Sequence, residues 1–367
     1  MRIDEQQVLG MLDGAQNVLL IEPAYKRKYV PLALAKIAAR LRSNGTPFAF
    51  ARAYKPGDWD LICVTSLFTY DSQLVLNVIR EARFLGPDVP IIVGGVFASL
   101  MPQLIHAEKA MVFEGCSEQL DATPPVLDYS WGVDPPWDDF SFVFTSRGCP
   151  NKCAYCAVWR IEPKRTLVHN WRDHIADDKP NVMVSDNNLS ACSLDHITEV
   201  AEFLRDRKKK VVFDNGFDCK HVTDDLAKLL AQLKYTRAGL RLAFDRIEED
   251  TEFKEAIARL RQAGIPKSAT MAYVLFNFTD TPADADYRMR TCADLGVRPY
   301  PQQYVPLTKL SRKPAFVGKH WTSGLLRAFR WYWLMAGVYT KAPFEAWAIT
   351  QDKFSLSSED WAAWAHT

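Results

Sequence analysis

Short apolar runs, separated by stretches of helical spacing, fill the first part of the chain. Residues 17–22, 47–50, 60–65, 90–95 and 111–113 read as buried strands. Between them, residues 31–42, 72–84 and about 98–107 place apolar side chains at helical intervals, and Gly45 supplies a C-cap for the first of these helices. Strands alternating with helices predict a doubly wound, Rossmann-like parallel sheet over residues 1–125. Ligands on such sheets bind at the carboxyl ends of the strands.

The pattern breaks at Thr123-Pro124-Pro125 and Asp134-Pro135-Pro136-Trp137, which lack periodicity, so residues 126–140 read as an extended linker. Alternation then resumes. Strands are predicted at 141–145, 181–185, 211–214, 239–244, 269–275 and 300–305, with helices at 195–208, 223–233, 251–263 and 283–295. Six strand–helix units over 141–310 make a second α/β domain. Residues 311–367 hold Trp321, Trp331, Trp333, Trp347, Trp361 and Trp364, with helical stretches at 322–339 and 344–349. Packing as a helical layer is the preferred reading of these tryptophans; stacking on a ligand is the other. On the first of these helices, Trp331 and Trp333 fall on different sides, so one should pack inward while Arg327 and Arg330 reach solvent or an acid.

Composition narrows the partners. With 367 residues and 48% apolar positions there is room for two cores and a tail. Lys plus Arg is 45 against 44 for Asp plus Glu, so charge gives no case for bulk nucleic acid or an anionic membrane. No apolar run reaches membrane-spanning length, since 321–339 is interrupted by Arg327 and Arg330. The start of the chain is polar and acidic, without a signal-peptide pattern. Five of the eight cysteines, Cys63, Cys116, Cys192, Cys219 and Cys292, are scattered singly, as reduced thiols in a cytosol would be. A cytoplasmic location is therefore expected.

The other three cysteines stand together in Thr145-Ser146-Arg147-Gly148-Cys149-Pro150-Asn151-Lys152-Cys153-Ala154-Tyr155-Cys156, directly after the apolar run Phe142-Val143-Phe144. Three thiolates on one loop suit three corners of a cubane iron–sulfur cluster and leave the fourth iron open. A zinc knuckle needs a fourth Cys or His at metal spacing, and the nearest, His169, matches no finger spacing. Inert structural thiols are the remaining reading, but they do not ordinarily crowd beside Gly, Pro, Asn and Lys.

This cysteine spacing after a strand resembles the cluster loop of the radical S-adenosylmethionine (radical SAM) superfamily. The resemblance implies that Cys149, Cys153 and Cys156 bind a [4Fe-4S] cluster whose open iron chelates S-adenosylmethionine, and that reductive cleavage yields a 5′-deoxyadenosyl radical that abstracts hydrogen from a substrate. It implies a partial (βα)6 barrel for residues 141–310 and an electron donor such as flavodoxin or ferredoxin. Tyr155 matches the family's aromatic residue beside the adenine.

The remaining cofactor contacts fall at strand ends. Asp186, Asn187 and Asn188 stand where the family has a Gly-Gly-Glu-like segment for the SAM amino group; the sequence departs from it but offers acceptors for an ammonium. Asp218 and Lys220 are candidates for the ribose and carboxylate, with turn formation as the other reading. Asp245 is expected to face the site rather than Arg241, although the two could form a structural ion pair. The segment 274–281, which contains Asn277, resembles the family's adenine-reading segment. Arg288 in the next helix is expected to pair with Asp284, and Gln302, Gln303 and Tyr304 lie near the expected substrate position.

The first domain resembles the cobalamin-binding domain that precedes many radical SAM barrels, through Val93-Gly94-Gly95 and Glu114-Gly115-Cys116-Ser117-Glu118. It departs where such domains carry Asp-x-His-x-x-Gly: the loop here is Pro23-Ala24-Tyr25-Lys26-Arg27-Lys28-Tyr29, no histidine precedes His106, and bulky Val96-Phe97 follows the glycines. Stoichiometric cobalamin is not expected, and a cobalamin without a protein ligand to cobalt is the alternative. The competing functions are a cobalamin-dependent radical SAM methyltransferase and a non-catalytic metal-binding or electron-transfer module. The substrate, whether small molecule, peptide or nucleotide, is not legible.

Overall fold

The computed structural model describes residues 1–28, 30–125, 131, 137–337 and 342–365. Most of the expected linker lies outside them. The chain divides into two compact units: Met1–Lys179 with Leu307–Pro314, and Pro180–Pro306 with Ala315–Thr367.

The first unit carries β1 (Arg2–Ile3), α1 (Glu5–Gly14), β2 (Val18–Ile21), α2 (Leu32–Ser43), β3 (Phe48–Ala51), β4 (Leu61–Ser66), α3 (Ser72–Leu85) and β5 (Ile91–Gly95). There follow α4 (Val96–Leu100), α5 (Pro102–Ala107), β6 (Met111–Phe113), α6 (Glu118–Asp121), β7 (Phe140–Val143), β8 (Ser146–Arg147), α7 (Val158–Ile161) and β9 (Thr166–Leu167). Its sheet has the order β1-β6-β5-β4-β2-β3, and all five strand pairings are parallel. The order reverses between β2 and β4, which makes their carboxyl ends the switch point of a doubly wound sheet.

Alternate residues of the strands feed two cores. Leu19, Ile21, Ile62, Val64 and Val93 pack with Val75 and Ile79 of α3 and Phe97 of α4. Val18, Leu20, Leu61, Cys63 and Ile92 pack with Val8 and Leu12 of α1 and Leu34, Ala38 and Leu41 of α2. Helices on both faces explain the unbroken apolar strands.

The sequence reading missed β1, α1 and α6. Asp4 and Gln7 form a reciprocal capping box, with Gln7 N donating to Asp4 Oδ1 at 2.8 Å and Asp4 N to Gln7 Oε1 at 2.9 Å. The single helix expected over 98–107 is instead two, because Pro102 cannot continue α4 and begins α5.

A hydrogen bond links the chain just beyond β2 to the chain just beyond β4 at the switch point. Buried Tyr25 accepts a hydrogen bond from Leu67 N at 3.0 Å. Gly95 has φ +100°, and a Cβ there would lie 2.3 Å from Ser66 O. Gly95 therefore serves close strand packing, and Phe97 is buried just after it. Residues 307–314 belong to this unit. Arg312 holds Asp71 through two hydrogen bonds of 2.8 and 2.6 Å, and Ser72 Oγ donates to Leu310 O at 3.0 Å.

The second unit carries β10 (Asn181–Val184), α8 (Leu194–Asp206), β11 (Lys210–Asp218), α9 (Asp224–Leu230), β12 (Lys234–Ala243), α10 (Asp250–Gln262), β13 (Thr270–Phe276), α11 (Pro282–Asp294) and β14 (Arg298–Gln303). The tail adds α12 (Ser323–Trp331), which runs into a π-helical turn Tyr332–Ala336, then α13 (Phe344–Ile349) and α14 (Ser358–Ala365). Within this unit the strands of the second sheet have the order β14-β13-β12-β11-β10, all paired parallel. Consecutive strands are neighbours throughout. Right-handed crossovers that all step the same way put the connecting helices on one face.

Two strands are longer than the sequence suggested. β11 continues through Asp214-Asn215-Gly216-Phe217 to Asp218, with register irregularities against β12. The Asp-Asn-Gly run is a bulged strand, not a turn. In the tail, Trp333 is 2% exposed and donates from Nε1 to Asp286 Oδ1 at 3.2 Å, whereas Trp331 is 43% exposed. Arg327 and Arg330 are exposed. Phe329 packs against Phe276 at the end of β13 and against Trp321, with ring centroids 5.3 and 5.2 Å apart, so the tail is a packing layer of its own unit.

Candidate functional site

The cysteine loop leaves β7 and is closed at its base. β8 and β9 pair antiparallel, Ser146 with Leu167 and Arg147 with Thr166, and Val168 N donates to Thr145 O at 2.9 Å. Gly148 takes φ +77°, and a Cβ there would sit 2.3 Å from Lys164 O, so only glycine lets the two arms approach. Glu162 Oε2 accepts from Gly148 N at 2.9 Å.

On this loop Cys149, Cys153 and Cys156 are each partly exposed and none is in a disulfide. Backbone amides point at two of the sulfurs: Asn151 N is 3.4 Å from Cys149 Sγ, and Val158 N, opening α7, is 3.5 Å from Cys156 Sγ. Such N–H donors favour thiolates and tune iron–sulfur groups. Cys156 N donates to Cys153 O at 3.0 Å and Trp159 Nε1 to the same carbonyl at 3.0 Å, which fixes the C-x-x-C turn. Tyr155 lies half-buried on it. Among the described residues, no three His, Cys, Asp or Glu side chains converge on a point as ligands of one metal ion. A cubane asks for something else, since each thiolate meets its own iron; three sulfurs on one loop with amide donors are a fitting donor set.

Beneath the loop lies a charged cluster that sequence reasoning missed. Arg147 donates to both oxygens of Asp121, at 2.8 and 2.7 Å, and Lys36 Nζ is 2.6 Å from Asp121 Oδ1. Arg147 Nη1 is 3.5 Å from Glu162 Oε1, and its guanidinium stands 3.5 Å over the Phe144 ring. Burial works to raise the Asp121 pKa, but Arg147 and Lys36 outweigh it and hold the carboxyl below its usual value. Buried His174, near Lys36, is pushed down to about 4 chiefly by that burial. A cavity of about 810 Å³ opens beside this cluster, lined among others by Arg147, Glu162, Cys116, Arg160 and His169.

In the second unit the expected cofactor residues occupy strand ends. Asp186 and Asn188 are buried just beyond β10 and Asn187 is partly buried; Asn188 Oδ1 accepts from Ser190 Oγ at 2.8 Å. Asp218 closes β11, pairs with Lys220 Nζ at 2.9 Å and caps the following turn. Asp245 follows β12 and accepts from Leu275 N at 3.2 Å.

Three expectations change. Arg241 pairs with Asp214 of the neighbouring strand, not with Asp245, because side chains one strand apart meet across the sheet. Arg288 pairs with Asp280 at 3.1 Å, whereas the Asp284 side chain serves the Thr281 capping box. Asn277, at φ +69° and fully buried, spends its side chain on Tyr304 O (3.2 Å), Phe316 O (3.1 Å) and Gly318 N (2.7 Å), so any contact it makes with a base falls to its backbone.

Arg241 Nη1 also donates to Tyr273 Oη at 2.7 Å, and Tyr273 donates to Asp214 O at 3.0 Å. Tyr300 meets the Tyr273 ring edge-on at 5.8 Å. Burial raises the pKa of Asp214, opposed by Arg241, and also that of Tyr273. Single polar residues in apolar strands, as here, were the available signal. No protein-family model matches the chain and no curated protein matches its sequence. Among the described residues, no helix is long and apolar enough to cross a membrane.

Proposed function

We propose that the chain is a radical SAM enzyme in which Cys149, Cys153 and Cys156 hold a [4Fe-4S] cluster and S-adenosylmethionine is the cosubstrate. One observation carries the reading: three partly exposed cysteines share a loop closed at its base, with amides on two of their sulfurs. The cluster, when bound, supplies the electron that splits the sulfonium and so starts hydrogen abstraction from a substrate.

The rest is done by the chain's own groups. The amides of Asn151 and Val158 stabilise negative charge at Cys149 and Cys156. Asp186, with Asn187 and Asn188, offers acceptors for the SAM ammonium at the end of a parallel strand. Asp218 and Asp245 occupy the equivalent ends of β11 and β12. Consecutive parallel strands joined by helices fit an open (βα)6 barrel with its ligands at the carboxyl ends. The electron would come from a small carrier such as flavodoxin or ferredoxin, in the cytoplasm. The loop after β2 offers no histidine, and buried Tyr25 stands there instead, which favours a cobalamin-free enzyme over a methyltransferase.

Anaerobic reconstitution with iron and sulfide tests the reading. It should give about four irons per chain and the broad visible absorbance of a cubane. One zinc per chain and no iron uptake would overturn it.

A further inference from the structure

Four charged side chains meet between the first sheet and the cysteine loop. Lys36 comes from α2, Asp121 from the end of α6, Arg147 from β8, and Glu162 from just beyond α7. Their side chains are only 6, 11, 16 and 12% exposed. Two positive and two negative charges cancel, and all four are linked by contacts of 2.6 to 3.5 Å.

The position of this cluster matters more than its existence. Arg147 and Gly148 are the two residues before Cys149. Asp121 grips the Arg147 guanidinium through both oxygens, and Phe144 supports its face. Glu162 holds the Gly148 amide. The backbone entering Cys149 is thus fixed by a side chain, by an amide and by the β8–β9 pairing. Lys36 and Asp121 belong to the domain built on the first sheet.

We propose that the first sheet domain is the electrostatic seat of the cysteine loop, with Asp121 as its positioning residue. Through Arg147 and Glu162 it sets the orientation of Cys149 and the reduction potential of the group the three cysteines hold. The proposal rests on the cluster reading above. The physical reason is charge balance: reducing a cluster adds negative charge, and a buried network of zero net charge neither favours nor opposes it strongly. Removing one carboxylate leaves an uncompensated cation in a poorly screened position, which favours the reduced form.

The test uses full-length protein reconstituted anaerobically, as wild type, Asp121→Asn, Glu162→Gln and Asp13→Asn. The last breaks the exposed Arg40–Asp13 pair of the same unit and serves as a control. Iron content, the electron paramagnetic resonance spectrum of the reduced protein, its midpoint potential and the rate of iron loss to a chelator are read together. Asp121→Asn and Glu162→Gln should shift the spectrum, move the potential positive and lose iron about tenfold faster, as loss of an outer-shell partner does. Asp13→Asn should match wild type in all four. Wild-type spectra and potentials in both network variants would overturn the proposal while leaving the cluster reading intact. A wild type that binds no cluster would overturn both. Should Asp121→Asn fail to fold, Glu162→Gln decides, because it keeps the size and an acceptor for the Gly148 amide.

Discussion

Arg288 lies fully buried with Nη2 3.1 Å from Asp280 Oδ2. Its Nη1 donates to the carbonyls of Phe244, Asp245 and Leu275, at 3.0, 3.0 and 2.7 Å, and so ties together the ends of β12 and β13. Burial pushes the Asp280 carboxyl up and Arg288 pulls it back. Taking away one partner leaves a buried charge unpaired. Asp280→Ala should therefore cost about 3–5 kcal/mol, measured by denaturant unfolding. A loss under about 1 kcal/mol would mean that the carbonyls alone satisfy the guanidinium.

The two tail tryptophans should separate sharply. Trp333 is buried and hydrogen-bonded to Asp286, so Trp333→Ala should cost about 3–5 kcal/mol. Trp331 is 43% exposed, and Trp331→Ala should cost less than about 1 kcal/mol. Equal losses would contradict the inward and outward assignment. Thermal melts of the two variants make the comparison.

His174 makes stability depend on acid. Its pKa falls from 6.5 to about 4 on folding, first through burial and then through the Lys36 charge, against the Ala122 carbonyl, Asp121 and Asp173. The unfolded chain binds the proton first. Stability from the neutral imidazole is complete above pH 6.5 and is lost as pH falls toward 4, with a slope approaching about 1.4 kcal/mol per pH unit. His174→Asn should flatten this part of the stability curve. An unchanged slope would place the acid sensitivity elsewhere.

Gly95 offers a separate test of the first sheet. Its φ of +100° and the 2.3 Å approach to Ser66 O leave no room for a Cβ. Gly95→Ala should cost more than about 1 kcal/mol and lower the melting temperature without changing the iron content of reconstituted protein. A variant as stable as wild type would show that the glycine is not there for packing.

What was legible in the sequence followed from local pattern. β4, Leu61–Ser66, is apolar because helices cover both faces, and the run announces itself. The C-x-x-x-C-x-x-C loop after Phe142-Val143-Phe144 was legible for the same reason, as its three cysteines fall within eight positions. The Asp4–Gln7 capping box was also present in the sequence, but short flanks hid it. The Asp214–Asp218 stretch misled, since Asp-Asn-Gly favours turns in isolation, and only pairing with β12 extends it as a bulged strand. The partners of Arg147 and Arg241 lie 26 and 27 residues away and carry no sequence mark. Arg288 chose Asp280 over Asp284 because the Thr281 amide had already claimed the latter's side chain.

The central claim is most directly tested by incubating reconstituted protein with dithionite and S-adenosylmethionine, without added substrate, and assaying 5′-deoxyadenosine. Wild type should form it slowly but measurably. The triple variant Cys149→Ala, Cys153→Ala, Cys156→Ala should lack the cluster absorbance and form none. A cluster-loaded wild type that yields no 5′-deoxyadenosine, or a triple variant that yields as much as wild type, would contradict the account.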